Sequence, residues 1–217
     1  MTAPQIVIIG AGGHAVSVAE TAAATGYQIS AFAVHAPKES SLLGIPVVTI
    51  DSCLSKASSA SYVVAIGDNY TRERIMNEVT SSIPDQFFPV LIHPSASVSQ
   101  FAQVGPGSVV LQGAIVGSHA MIGRGCLINS GAVIEHECEM ADFSSVAPNA
   151  TLGGRVRLGS RSAVSIGAVI KHGLEIGDDS IIGAASYVHG DQPSGIVAFG
   201  SPAVTRGTRQ ASDAYLH

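Results

Sequence analysis

The stretch Val133–Met140, "VIEHECEM", sets His136 among three acids, Glu135, Glu137 and Glu139. Only 12% of the chain's residues are charged, so this concentration around one imidazole needs a reason. A neutral imidazole near pH 7 can accept a proton. A neighbouring carboxylate can fix its tautomer and stabilise the imidazolium that forms. The same residues could also make a solvated turn. Which of the two holds depends on the direction in which His136 points.

The N-terminal part holds a second group of candidates. "QIVIIGAGGHAVSVAETAAATG" reads as a buried strand, a glycine turn and an Ala-rich helix ending at Gly26. Gly10, Gly12 and Ala15 have the spacing of a loop that aims backbone N–H groups and a helix N-terminus at a phosphate. A tight turn that packs helix on strand would look the same. The acid that should hold a ribose about twenty residues further on is missing. Val34 and His35 stand there instead, which argues against a nicotinamide dinucleotide. Further along, "AIGDN" closes a strand and Asn69 can cap the helix "YTRERIMNEVTSS". Arg72 then lies in the first turn, where its charge opposes the helix dipole. That placement suggests an anion ligand such as a diphosphate.

The elements that position these groups follow from two patterns. Up to residue 88, a strand at about 28–34, a short helix after Asp51 and the strand "SYVVAIGDN" continue an α/β, Rossmann-like order. Pro89 and Pro94 mark a boundary. The expected division is a Rossmann-like domain over 1–88, which the family resemblance described below makes a nucleotide-sugar-binding domain, and a second domain over 89–217.

The second domain repeats every six residues. From Val98 to Val188, all sixteen positions of the row are aliphatic or Met. Two residues before each, fourteen of sixteen are Ala, Ser or Cys. Period six fits neither an amphipathic helix nor simple strand alternation. It is a hexapeptide β-helix, in which three hexapeptides make one triangular coil. The aliphatic residue points inward and the small one sits at a tight corner. His136 lies two residues past the inward Ile134, so it points outward. Residues eighteen apart stack, and the column through His136 reads Ser118, His136, Gly154, His172, Gly190. A bare Gly154 beside an outward His with acidic neighbours is expected to leave a notch in the wall, which favours the functional reading.

Composition removes other classes. The net charge is −5 and no basic cluster exists, so a nucleic-acid surface is not expected. No apolar run approaches a membrane span, and "MTAPQIVIIGAGG" has no basic leader region. Cys53, Cys126 and Cys138 show no metal-ligand spacing and read as reduced thiols of a cytoplasmic protein. The histidines contain no H-x4-H pair of the kind that a zinc site between subunits would use. With little aromatic content and no Trp, the core must come from small aliphatic side chains.

The segments "IIGAGGHA", "AIGDNYTRERI", "LIHPSASV", "INSGAVIEHECEM", "DFSSVAPNATLGG" and "VAFGSPA" together resemble the sugar O-/N-acyltransferase family that includes the bacterial PglD-type and NeuD-type enzymes. The resemblance covers nearly the whole chain. It implies a left-handed β-helix, a homotrimer, and acetyl-CoA lying between neighbouring prisms with no metal. The substrate would be a nucleotide-linked amino sugar that reacts at its 4-amine. His136 would be the general base and Glu137 its orienting partner. Asn129 would sit near the reacting amine. Gly154, Ile166 and Ala184 would line the coenzyme slot, with Ser145 close to the thioester. Gly12, Gly13, His14, Ile66, Gly67, Asn69 and Arg72 would hold the nucleotide sugar. Backbone N–H groups around Gly154 are candidates for the oxyanion. Two positions depart from the pattern. Val34-His35 replaces an acidic pair, so a purine stacked on His35 makes a GDP-linked sugar plausible beside UDP and dTDP. Ser145 replaces a histidine. A sialic acid O-acetyltransferase of the NeuD type, or a non-catalytic nucleotide-sugar scaffold, is the alternative reading.

Overall fold

The computed structural model describes residues 3–55 and 60–216. Its first part is a parallel sheet formed by β1 (Gln5–Ile9), β2 (Gln28–Val34), β4 (Ile45–Thr49) and β5 (Ser61–Val64), edged by the short antiparallel β3 (Ser41–Leu42). The strand order is β3-β4-β2-β1-β5. The direction of winding therefore reverses between β1 and β5, and a crevice opens beyond the carboxyl ends of these two strands, where such sheets bind ligands. β1 is a run of Ile and Val buried on both faces, as a central parallel strand requires. Gly10 follows it with φ +127°, and a β-carbon there would stand 2.7 Å from the Ala65 carbonyl oxygen. Only glycine lets the ends of β1 and β5 come this close.

Three helices cover the sheet: α1 (Gly13–Ala24), α2 (Ile50–Leu54) and α3 (Asn69–Thr80). The small residues Ala15, Ala19 and Ala22 let α1 pack tightly, in one core with Ile6, Ile8 and residues of the following domain, Leu91, Val109 and Leu127. On the other face, Ile75, Met76 and Val79 of α3 share a core with Phe88 and Phe143. The two parts of the chain thus have common hydrophobic cores. The cap of α3 is Asp68, whose side chain accepts from the Thr71 N–H at 2.8 Å. Asn69, the expected cap, is instead the first helical residue.

From Leu91 onward the chain winds as a triangular prism of short parallel strands. The first face stacks strands from Ser97–Val98 to Tyr187–Val188, the second those from Gln103–Val104 to Glu175–Ile176, and the third those from Leu91–Ile92 to Ala203–Thr208. Strands pair in register at a step of eighteen, as in Ile115↔Val133↔Thr151. This is the left-handed parallel β-helix. The inward row is buried, with Ile128, Ile134, Val146, Leu152, Val164 and Ile170 at 0% exposure. The small residues sit beneath the corners and tie the coils together there: the Ser162 hydroxyl donates to the Gly177 carbonyl at 2.6 Å and accepts from the Ser180 N–H at 2.9 Å. Cys126 and Cys138 are buried in this row as free thiols. No helix among the described residues is long and apolar enough to cross a membrane.

Candidate functional site

His136 lies at the corner between the first and second faces, just past Ile134, and points outward with its side chain 49% exposed. Its main chain is fixed from both neighbouring coils. The Glu137 N–H donates to the Ser118 carbonyl at 2.9 Å, and the His136 carbonyl accepts from the Arg155 N–H at 2.9 Å. Glu137 holds the corner with φ +58°. Its carboxylate stands 3.8 Å from Nδ1 of His136, and its other oxygen 3.9 Å from the Arg155 guanidinium. This is ion-pair distance and not a formed hydrogen bond. Catalytic hydrogen bonds commonly shorten when substrate binds.

Gly154 sits one coil above, and the expected notch is not there. A β-carbon at Gly154 would stand 2.5 Å from His136 Nε2, and Gly154 is buried. The imidazole therefore occupies the space that glycine leaves. Gly154 shapes the seat of the histidine and does not open a slot for a coenzyme.

A separate cavity of about 350 Å³ lies on the third face and the corner beyond it. His14 and Gly67 reach it from the α/β domain, and Asn129, Ser145, Ile166 and Ala184 from the prism. Six of the expected substrate and coenzyme residues thus meet in one place. Asn129 is held by its amide N–H, which donates to the Val146 carbonyl at 2.9 Å. Ile166 is 60% exposed and presents an apolar rim. His14 follows the glycine turn at the start of α1. Its Nε2 is buried and has no hydrogen-bond partner. Burial, and secondarily the positive charge of Arg72, lower its pKa from 6.5 to about 4. It is neutral at physiological pH, with one polar atom left for a ligand.

Gly12 and Gly13 lie open, with nothing within 4 Å of where their β-carbons would stand. Gly12 also borders a slot of about 450 Å³ with walls of Val34, Leu42 and Val47 and with Lys38 and Glu39 at its edge. His35 does not take part in this slot. Its Nε2 is 2.8 Å from the Glu78 carboxylate on α3, a contact that anchors the ring edge.

Arg72 is the largest departure from expectation. It is fully buried and holds no free donor for a diphosphate. Nε donates to the Gly125 carbonyl at 2.7 Å, one terminal nitrogen to Ile66 and Gly67 at 3.0 and 2.9 Å, and the other to Asn69 Oδ1 and Phe143 at 2.7 Å each. Asn69, 1% exposed, passes the link on through its amide N–H groups to the Arg161 and Ser162 carbonyls. Neither residue can touch a nucleotide in this arrangement. Together they fasten the β5–α3 loop to the prism, with Ile66 serving through its carbonyl. The signal was present in the sequence: a cation in the first turn of a helix opposes the dipole unless carbonyls from elsewhere surround it.

Among the described residues no group of three His, Cys, Asp or Glu could hold a metal ion.

Residues 5–79 match the family model of the PglD N-terminal domain. A histidine-to-asparagine mutant of perosamine N-acetyltransferase from Caulobacter crescentus, solved with CoA and GDP-perosamine, is 34% identical, with 94% of this chain and 97% of that chain covered and a TM-score of 0.88. The acetyltransferase domain of PglB from Neisseria gonorrhoeae, solved with acetyl coenzyme A, is 32% identical, with 94% and 100% covered and a TM-score of 0.87. WeeI from Acinetobacter baumannii, at 20% identity and a TM-score of 0.76 over 93% and 99% of the chains, shares the fold. No curated protein sequence matches the chain.

Proposed function

The chain belongs to the PglD-like sugar acyltransferases, and from that membership we propose that it moves the acetyl group of acetyl-CoA to the 4-amine of a nucleoside-diphosphate-linked amino sugar. The observation that carries the reading is the cavity in which His14 and Gly67 of the α/β domain face Asn129, Ser145, Ile166 and Ala184 of the prism. One cavity edged by both domains suits a reaction between a nucleotide-bound acceptor and a coenzyme-bound donor.

In the proposed step the free amine attacks the thioester carbonyl carbon. A C–N bond forms and the carbonyl oxygen becomes an oxyanion. His136 Nε2 takes the proton that the nitrogen sheds, and Glu137 stabilises the imidazolium. The C–S bond then breaks, and the imidazolium returns its proton to the departing thiolate. The thioester is already activated, so the residues need only place the amine and manage one proton.

The same geometry supports a homotrimer. His136 follows a first-face strand and Asn129 follows a third-face strand, so within one chain the whole strand Val133–Ile134 lies between the base and the cavity. A second copy can bring its His136 corner to this chain's cavity, and a closed ring of three completes every site. The first face presents the stacked, exposed residues Ile115, Val169 and Tyr187, at 45%, 40% and 41% exposure, as an apolar contact row.

The glycine turn and the α1 N-terminus would take the diphosphate through Gly12 and Gly13, and the Val34–Val47 slot the nucleoside. Division into 1–88 for the nucleotide sugar and 89–217 for acetyl transfer belongs to this reading, with Arg72 and Asn69 as the fastening between them. The expected compartment is the cytoplasm, in keeping with free thiols at Cys126 and Cys138. A thiol-release assay with acetyl-CoA and GDP-, dTDP- and UDP-linked 4-amino sugars tests the proposal. Release with at least one acceptor is expected, and no release with any amino sugar would overturn it.

A further inference from the structure

After the last strand, Ala203–Thr208, the chain does not leave the molecule. The Arg209 N–H donates to the Gly195 carbonyl at 2.8 Å, and its guanidinium donates to the Asp179 carbonyl at 2.7 Å and to the carbonyls of Ala211 and Asp213. The Asp213 carboxylate accepts from the Gln210 N–H at 2.8 Å, which closes a tight turn. Arg209 also lies 5.7 Å over the ring of Tyr215. One side chain thus ties residues 209–215 together beside the Asp179 coil, and Tyr215 reaches the Ser145 side chain. There the Tyr215 hydroxyl donates to the Gly67 carbonyl at 3.3 Å. A β-carbon at Gly67 would stand 3.0 Å from Leu216 Cδ1.

Tyr215 and Leu216 therefore line the same cavity as His14, Gly67 and Asn129. Nothing in the sequence pattern marks them, since they fall outside both the six-residue repeat and the α/β order. Two features argue for a role toward a ligand. Leu216 is 57% exposed at the cavity, too open to serve the core. His14 lines the same cavity, and its Nε2 is buried without a partner. An apolar side chain held against open space, beside a histidine whose ring nitrogen has no partner, fits a small molecule with one apolar and one hydrogen-bonding side. A sugar ring has both.

We propose that segment 209–216 is a built wall of the acceptor site, and that Tyr215 and Leu216 hold the amino-sugar ring of the nucleotide sugar against the Gly67 loop and His14. Resting on the acetyltransferase reading above, this adds a specificity element that lies outside the two domains' repeating patterns. The Tyr215–Gly67 bond places the wall on the acceptor side of the cavity. The phenol, whose pKa burial raises, remains a donor throughout the working pH range.

The test compares the full chain with a chain ending at Gln210 and with Tyr215→Phe and Leu216→Ala. Calorimetry with three probes separates the outcomes: a nucleoside diphosphate alone, the corresponding nucleotide 4-amino sugar, and coenzyme A. Expected is a rise of about tenfold or more in Kd for the nucleotide amino sugar on truncation, and a smaller rise of about fivefold for Tyr215→Phe, which loses one hydrogen bond. The nucleoside diphosphate and coenzyme A should bind as before. In turnover, KM for the acceptor should rise while kcat and KM for acetyl-CoA change little. Unchanged acceptor affinity in all three variants would overturn the proposal, as would loss confined to coenzyme A. A truncated chain with a higher kcat/KM would also overturn it, by showing that the segment obstructs the site. Failure of the full chain to bind or acetylate any nucleotide amino sugar would count against the acetyltransferase reading and not against the wall alone.

Discussion

The His136 imidazole lies against the backbone of Gly154 one coil above it, with Nε2 2.5 Å from the place a β-carbon there would take. The ring and the glycine form one unit, and any side chain at position 154 must displace the imidazole.

Replacing Gly154 by Ala should therefore lower kcat by about tenfold or more, since a shift of about 1 Å in a reacting group can cost a hundredfold. KM for acetyl-CoA should stay within a few-fold. Steady-state kinetics decide: a large rise in that KM at unchanged kcat would restore Gly154 as the floor of a coenzyme slot.

His136→Ala should keep the fold and lower kcat by about 10²–10⁴, the usual contribution of a positioned acid–base group. Glu137→Gln should cost less, because the carboxylate stands at 3.8 Å and only supports the imidazolium. Turnover of His136→Ala within a few-fold of the wild type would remove the histidine from the mechanism.

Arg72→Met should destabilise the protein by about 3–5 kcal/mol, because the carbonyls of Ile66, Gly125 and Phe143 would lose their donor in a buried setting. Denaturant unfolding reads this directly. A small stability loss with a tenfold weaker grip on a nucleoside diphosphate would instead return Arg72 to the role of anion ligand.

His14 makes stability depend on pH. Its pKa falls from 6.5 unfolded to about 4 folded, so between these values the unfolded chain binds more protons. Stability is fully present above about 6.5 and declines as pH drops toward 4. The shift corresponds to roughly 3 kcal/mol. Melting temperatures at pH 7 and 4.5 should converge for His14→Asn relative to the wild type. An identical acid slope in both would show that other groups carry it.

If the proposed trimer forms through the first face, Tyr187→Glu, alone or with Ile115→Glu, should keep the chains apart and abolish acetyl transfer while each chain keeps its prism, because a charge would replace apolar contact there. Light scattering is the measure. A fully active wild-type monomer of 22.1 kDa would contradict the shared site.

Much of this architecture is legible in the sequence because it is local. In a β-helix the pleat and the tight corners fix whether each side chain points in or out, so the row from Val98 to Val188 reports the core, and the offset from Ile134 sends His136 outward. The glycine turn is legible for the same reason: Gly10 is demanded by a conformation and a close approach at one point of the chain. What only the tertiary structure decided concerns partners distant in sequence. Arg72 reads as a ligand for an anion until the carbonyls of Gly125 and Phe143, 53 and 71 residues away, surround it. Gly154 reads as a gap until the orientation of the His136 ring fills it. Tyr215 carries no pattern, and it becomes part of a cavity because Arg209 turns the segment back toward Gly67, 148 residues earlier. Period and pleat are set by the nearest few residues, whereas a hydrogen-bonding partner is set by where the folded chain returns.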